Sequence, residues 1–238
     1  MFSWLKSILP FSYKRSVKEH LGVPSLHWSL QNLKKKGFNP TSVGDIGAFE
    51  GNWTLDFLEV FPLSKIIMIE PQTSKGKILE QLCNKFPNVI YHKALLSSGN
   101  DKVMFYENET ASHIVQGSVN SEDKSLTTTQ TFDEILQTLS FPFPQFLKLD
   151  VQGHELEVLK GAPKALAAAE VCMLEISLLM LDESAPLALD VMEFMDEANF
   201  QLYDITQFMR RPYDMALYQI DVLFVKKNSQ WVNDRRWN

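Results

Sequence analysis

Short, continuous apolar runs alternate along this chain with stretches in which apolar side chains return every three or four residues. Residues 42–46, 65–69 and 89–91 show the first pattern and read as buried strands. Residues 52–60 and 74–86, which follow the first two, show the second and read as helices. The alternation resumes with a strand at 146–149, a helix at 154–169, a strand at 171–176 and a helix at 187–199, and two strands at 201–205 and 219–225 close it. Strand–helix–strand repetition predicts a doubly wound, Rossmann-like α/β fold with a largely parallel sheet. The spacing of the last two strands allows an antiparallel pair, hence an antiparallel edge strand.

Three segments stand outside this pattern. Residues 1–37 read as an amphipathic helical extension, stopped by Gly37, Asn39 and Pro40. Residues 102–106 are strand-like, but the polar stretch from there to Thr131 has no helical period and reads as an insertion with short strands, a common place for substrate loops. Beyond Lys227 the tail is expected to be poorly ordered unless Trp231 or Trp237 docks. One domain is therefore expected, with an extension at 1–40, a catalytic core at 41–227 and a tail at 228–238. The length of 238 residues is ordinary for a single α/β unit.

A formal charge of −6 disfavours a nucleic-acid surface, which needs a concentrated cationic footprint; Lys34-Lys35-Lys36 and Arg210-Arg211 are too short to supply one. The lysine run suits a helix C-terminus before Gly37. Cys83 and Cys172 have no partner spacing, so neither a disulfide framework nor a zinc cluster is expected. The apolar opening is broken by Lys6 and Pro10, too early for a transmembrane helix or a cleaved signal. Packing across its own domain is the first reading of residues 1–15, and peripheral membrane contact beside Lys6, Lys14 and Arg15 the second. A cytoplasmic location is the expectation.

The segment Val43-Gly44-Asp45-Ile46-Gly47-Ala48-Phe49-Glu50-Gly51 lies where a buried strand turns into a helix. Glycines there permit a sharp turn and close approach of a ligand. Their spacing is not the G-x-G-x-x-G that receives a dinucleotide pyrophosphate, nor does the loop end in the Gly-Lys-Ser/Thr of a phosphate loop. A nucleoside without phosphates fits better. Glu70, at the end of the next strand, is placed to accept from both hydroxyls of a ribose. The two features together point to S-adenosylmethionine; a nicotinamide-dependent oxidoreductase would require the tighter glycine fingerprint.

The segment Phe146-Leu147-Lys148-Leu149-Asp150-Val151-Gln152-Gly153-His154-Glu155 puts Asp150 at a strand end on the same sheet edge, with His154 opening a helix. With Asp45 through Gly51, Glu70-Pro71, the Lys93-Ala94-Leu95 turn and Thr131-Phe132-Asp133-Glu134, it resembles the FkbM-type methyltransferase family over about residues 42–177. That resemblance implies a seven-stranded sheet and O-methylation of a hydroxyl on a sugar, glycan or glycosylated natural product. It implies a cofactor site at Asp45, Gly47, Phe49, Gly51, Glu70, Ala94 and Asp150, with Gly47 and Gly51 shaping the methionine side, Glu70 the ribose and Ala94 near adenine. Two departures from the pattern stand out: Gln152 stands where the family often has Glu, and Phe49-Glu50 replace small polar residues.

His154 is the first candidate general base, since a near-neutral imidazole suits that transfer. Asp150 is the second; it is also placed to orient His154, or with Glu175 to bind magnesium, a hard cation that wants oxygen ligands. Of the other histidines, His92 lies beside the Ala94 turn, His113 lies in the polar insertion within reach of substrate, and His20 and His27 fall in the extension. Phe105, Tyr106, Phe208 and Tyr213 offer a stacking surface for an acceptor. The competing class is a noncatalytic interaction protein on the same fold, which intact loop glycines and Glu70 argue against.

Overall fold

A computed structural model describes residues 21–107, 113–115, 124–180, 185–234 and 236–237. In chain order these form α1 (Leu26–Lys35), β1 (Ser42–Ile46), α2 (Asn52–Val60), β2 (Lys65–Ile69), α3 (Thr73–Lys85) and β3 (Val89–His92). A second group comprises β4 (Lys102–Tyr106), β5 (His113–Val115), β6 (Lys124–Thr128) and α4 (Phe132–Thr138). The chain continues with β7 (Phe146–Leu149), α5 (Glu155–Lys160), α6 (Pro163–Ala168), β8 (Val171–Ser177), α7 (Ala188–Glu197), β9 (Phe200–Arg210), β10 (Leu217–Lys226) and α8 (Gln230–Asn233).

The main sheet has seven strands in the order β3-β2-β1-β7-β8-β10-β9. β3, β2, β1, β7 and β8 run parallel, while β10 is antiparallel to both β8 and β9. The sheet is thus the mostly parallel one expected, with its reversed strand one place in from the edge rather than on it. The cause is the long β9–β10 hairpin: its second strand slots beside β8 and pushes the first outward.

Side chains alternate between two faces, as the pleat requires. Ile67, Ile69, Leu147, Leu149 and Leu174 join residues of α4, α5, α6 and α7 in one apolar cluster. Ile66, Met68, Phe146, Val171 and Met173 join residues of α1, α2, α3 and α8 in the other. A sheet covered on both faces explains why its strands read as continuous apolar runs. From β1 the chain winds outward to β3; it then returns through the small sheet and α4 to β7, on the other side of β1. That reversal opens a crevice at the carboxyl ends of β1 and β7.

Two expectations change in detail, and those for the insertion and the tail are made specific. Within the extension, residues 1–20 lie outside the described residues, and 21–25 are turn and irregular chain, with Gly22 at φ +65°. Pro24 and the Ser25 cap then set the start of α1. The helix expected over 154–169 is two, because Gly161 and Pro163 interrupt it: a Cβ at Gly161 would stand 2.2 Å from the Ser97 carbonyl oxygen. The polar insertion supplies a separate antiparallel sheet, β5-β4-β6. In the tail Trp231 docks, 8% exposed, edge-on to Phe38 and donating to the Lys36 carbonyl, whereas Trp237 is exposed. Among the described residues no helix is long and apolar enough to cross a membrane.

Candidate active site

The loop after β1 is set by backbone geometry before any side chain acts. Gly47 has φ +76°, and a Cβ there would fall 1.8 Å from the Asp150 carbonyl oxygen, so the ends of β1 and β7 meet only through glycine. The N–H groups of Gly47 and Ala48 both donate to the Ile69 carbonyl, tying the loop to the end of β2. Phe49 follows at φ +49°. Its ring lies 3.9 Å beneath the Lys75 ammonium, and Lys75 pairs with Glu50 at 3.0 Å. The two unusual residues of this loop therefore latch it to α3.

Glu70 is 3% exposed. Its Oε2 accepts from the Phe49 N–H at 2.8 Å and its Oε1 from the Gln72 N–H at 3.0 Å, joining the β1 loop to the start of α3. Each oxygen keeps a second lone pair. Burial raises the Glu70 carboxyl above its ordinary range, and the two backbone N–H groups and Lys148 counteract that rise.

Below the loop, Asp45 is fully buried. Thr54 donates to its Oδ2 at 2.7 Å, and Lys148 from β7 stands 3.1 Å from its Oδ1. The Lys148 ammonium also donates to the Gly47 carbonyl at 2.7 Å and lies 3.8 Å from Asp150. Burial alone would push the lysine down; Asp45 and then Asp150 outweigh it, so the ammonium is held charged.

Gly47, Phe49, Glu70, Ala94, Asp150, His154 and Glu175 all line one cavity of 460 Å³. Ala94, Leu95, Leu96 and Phe105 form its apolar end, and Gln152, Glu175, Met209, Tyr218 and Gln219 its other end. Asp45 and Gly51 do not reach it. Asp45 acts from below through Lys148, and Gly51, at φ +79°, gives room to Leu82 and Leu79 of α3. His154 sits on the Ala94 side: its Nε2 is 3.0 Å from Ser97 Oγ, three residues after Ala94. Burial lowers the imidazole below its usual value, with Glu157 and Lys160 pulling in opposite directions, so it is neutral at neutral pH.

Of the proposed stacking residues, Phe105 lines the cavity, while Phe208 and Tyr213 are exposed, at 44% and 89%. Tyr106 is half-buried, the His113 side chain lies outside the described residues, and His27 hydrogen-bonds Gln31 on α1. Lys148, Met209, Tyr218 and Gln219 escaped the sequence reading. For Lys148 there was a signal, a cation inside a strand otherwise buried and apolar; for the other three there was none, because pairing of β10 with β8 brings them in from far along the chain.

A methyltransferase FkbM domain model matches residues 45–202, most of the chain and all of the loop, Glu70 and Asp150 positions. The chain belongs to the FkbM methyltransferase family. Within curated proteins, it is 30% identical over 114 residues to the hexuronic acid methyltransferase AglP of Haloferax volcanii. That match takes in 48% of this chain and 47% of AglP, so it spans about half of each. Among solved structures, the precorrin-6y C5,15-methyltransferase of Geobacter metallireducens superposes with a TM-score of 0.49 at 13% identity, covering 84% of this chain and 86% of that one. The 1,6-didemethyltoxoflavin-N1-methyltransferase of Burkholderia thailandensis gives 0.46 at 11% identity, covering 91% and 85%. The FkbM match ends at residue 202, before Met209, Tyr218 and Gln219.

Proposed function

We infer that this protein transfers a methyl group from S-adenosylmethionine to a hydroxyl of a sugar, glycan or glycosylated small molecule. The observation that carries the reading is one continuous cavity lined by the β1 loop, the Glu70 carboxylate, the apolar Ala94 turn and the Asp150 carboxylate. S-adenosylmethionine fits these residues chemically. Glu70 has lone pairs for ribose hydroxyls; Ala94, Leu95, Leu96 and Phe105 are an apolar wall for adenine; Gly47 lines the cavity with backbone alone. Bound there, the cofactor supplies an already activated methyl group on a sulfonium, so the protein's task is alignment and proton removal.

Asp150 is the group we assign to the proton. It lines the cavity beside Gln152, which also bonds Glu175, and there Glu175, Tyr218 and Gln219 leave polar atoms for an acceptor. His154, engaged by Ser97 beside the Ala94 turn, is assigned to the cofactor end. A hydroxylated acceptor of sugar type agrees with the acceptor named for AglP.

Calorimetric titration with S-adenosylmethionine and, separately, with NADH tests the reading. Selective binding of the first is expected, weakened about tenfold to a hundredfold in Glu70→Ala by loss of hydrogen bonds to a charged group. Binding of NADH, or of neither ligand, would reject it, and the second result would favour a noncatalytic interaction protein. Release of S-adenosylhomocysteine with hydroxylated sugars then identifies the acceptor.

A further inference from the structure

Asp150 and Glu175, the two carboxylates suited by position to share a magnesium ion, are joined by a different group. Gln152 Nε2 lies 2.9 Å from Asp150 Oδ1 and 2.9 Å from Glu175 Oε2. With a carboxylate oxygen on either side, the amide atom between them is its nitrogen; an oxygen there would set three acceptors against one another. The backbone is bent to hold this amide in place: Gln152 has φ +54° and Gly153 φ +90°. A left-handed glutamine is costly, and such strain persists only where the surroundings enforce it. Here Glu155 enforces it, its Oε1 accepting the N–H groups of Val151 at 3.0 Å and Gly153 at 3.2 Å.

The charges around the pair favour the same arrangement. Asp221 on β10 and Glu155 on α5 add negative charge, and the nearby ammonium, Lys148, is drawn to Asp45 and the Gly47 carbonyl. A hard divalent cation requires ionised oxygens around it. At this position the bridging place holds an N–H donor, which would turn its hydrogens towards a cation, so the residues present do not fit magnesium. Among the described residues no three His, Cys, Asp or Glu side chains are grouped to hold a metal ion.

We propose that the Gln152 amide replaces a bridging cation, holding Asp150 and Glu175 as a metal-independent pair in which Asp150 receives the acceptor's proton. This rests on the methyl-transfer reading above. In the step, the acceptor O–H proton passes to Asp150, an O–CH3 bond forms, and the S–CH3 bond breaks with its electron pair retained by sulfur. S-adenosylhomocysteine and the methylated acceptor leave, and Asp150 returns its proton to water. Gln152 acts through Asp150 and is a positioning residue.

The test is a calorimetric titration of Mn2+ into the full chain and into Gln152→Glu, which restores the acid common in the family. The unaltered protein is expected to bind no Mn2+. Gln152→Glu is expected to bind one Mn2+ per chain at concentrations where the unaltered protein gives no binding heat, because affinity follows the number of charged ligands. Gln152→Asp supplies the same charge if the glutamate variant does not fold. Mn2+ binding by the unaltered protein that is lost in Glu175→Gln overturns the proposal. Binding by neither protein also overturns it, since the place between the carboxylates would then not be one a cation fills. These titrations need no cofactor, so a failure to bind S-adenosylmethionine would remove the methyl-transfer reading separately.

Discussion

Lys148 donates to the Gly47 carbonyl oxygen across 2.7 Å, so a lysine buried in β7 holds the loop that follows β1. Its charge is matched from below by Asp45, itself fully buried. Replacing Lys148 by Met keeps the length of the side chain but strands the Asp45 charge in the interior. A loss of about 3–5 kcal/mol is expected in urea denaturation, the usual cost of breaking one side of a buried pair. Lys148→Met combined with Asp45→Asn should recover a large part of that stability but not S-adenosylmethionine affinity, because the Gly47 carbonyl stays unheld. Equal loss in the single and double variants would mean that the pair is not coupled.

The two glycines of the β1 loop should fail differently. In Gly47→Ala the new Cβ meets backbone, at 1.8 Å from the Asp150 carbonyl oxygen, and neither strand end can move without breaking the sheet. In Gly51→Ala the obstacle is a Leu82 methyl at 2.6 Å, the tip of a side chain able to turn away. Both carry the strain of positive φ, about 1 kcal/mol or more. Gly47→Ala should abolish cofactor binding, whereas Gly51→Ala should lower thermal stability and retain measurable binding by calorimetry.

His154 and Asp150 should separate in steady-state kinetics once an acceptor is known. His154→Gln is expected to raise KM for S-adenosylmethionine with kcat little changed, the mark of an interaction used in binding. Asp150→Asn should lower kcat about a hundredfold or more, the usual worth of a positioned base. A large fall in kcat for His154→Gln would return the imidazole to the role of base.

Glu155 is buried and pushed up from 4.5 to about 7, mainly by burial, against the pull of its hydrogen bonds to the 151–153 turn. A carboxyl raised in the folded state gives stability that is fully present below the unfolded value near 4.5 and lost as pH rises through about 7. Glu155→Gln keeps an acceptor for the turn and removes the charge. Relative to the unaltered protein it should be similar near pH 4 and more stable above pH 7, by on the order of 3 kcal/mol. Parallel stability curves across that range would refute the burial of a titrating charge at this position.

Most of the sheet was legible in the chain, because β1, β2, β7 and β8 are buried on both faces and leave unbroken apolar runs. From the Ala94 end as far as Asp150 the cavity was legible for a related reason: Gly47, Glu70 and Asp150 each follow directly on a strand and Ala94 comes two residues after one, so finding the strand locates the residue. The opposite end was not. Gln219 enters the cavity because it pairs with Ser177, and that pairing is a long-range contact with no local trace. The single helix expected at 154–169 failed on a similar point, since what Gly161 makes room for is the backbone of Ser97, far away in sequence. The Asp45 and Gly51 assignments followed the motif, whereas the cavity is shaped by what those residues support from outside it.

The β9–β10 hairpin carries Met209, Tyr218 and Gln219 into the cavity from beyond residue 202, where the family match stops. Its strands are joined by their own short turn and attach to the rest of the sheet along one seam, β10 against β8. A wall fastened that way is replaceable: its tip can be lengthened, shortened or recoloured without disturbing the glycine loop or Glu70. The far lining of the cavity can therefore change at that tip while Phe200 and Val222 to Val225 stay rooted in the core.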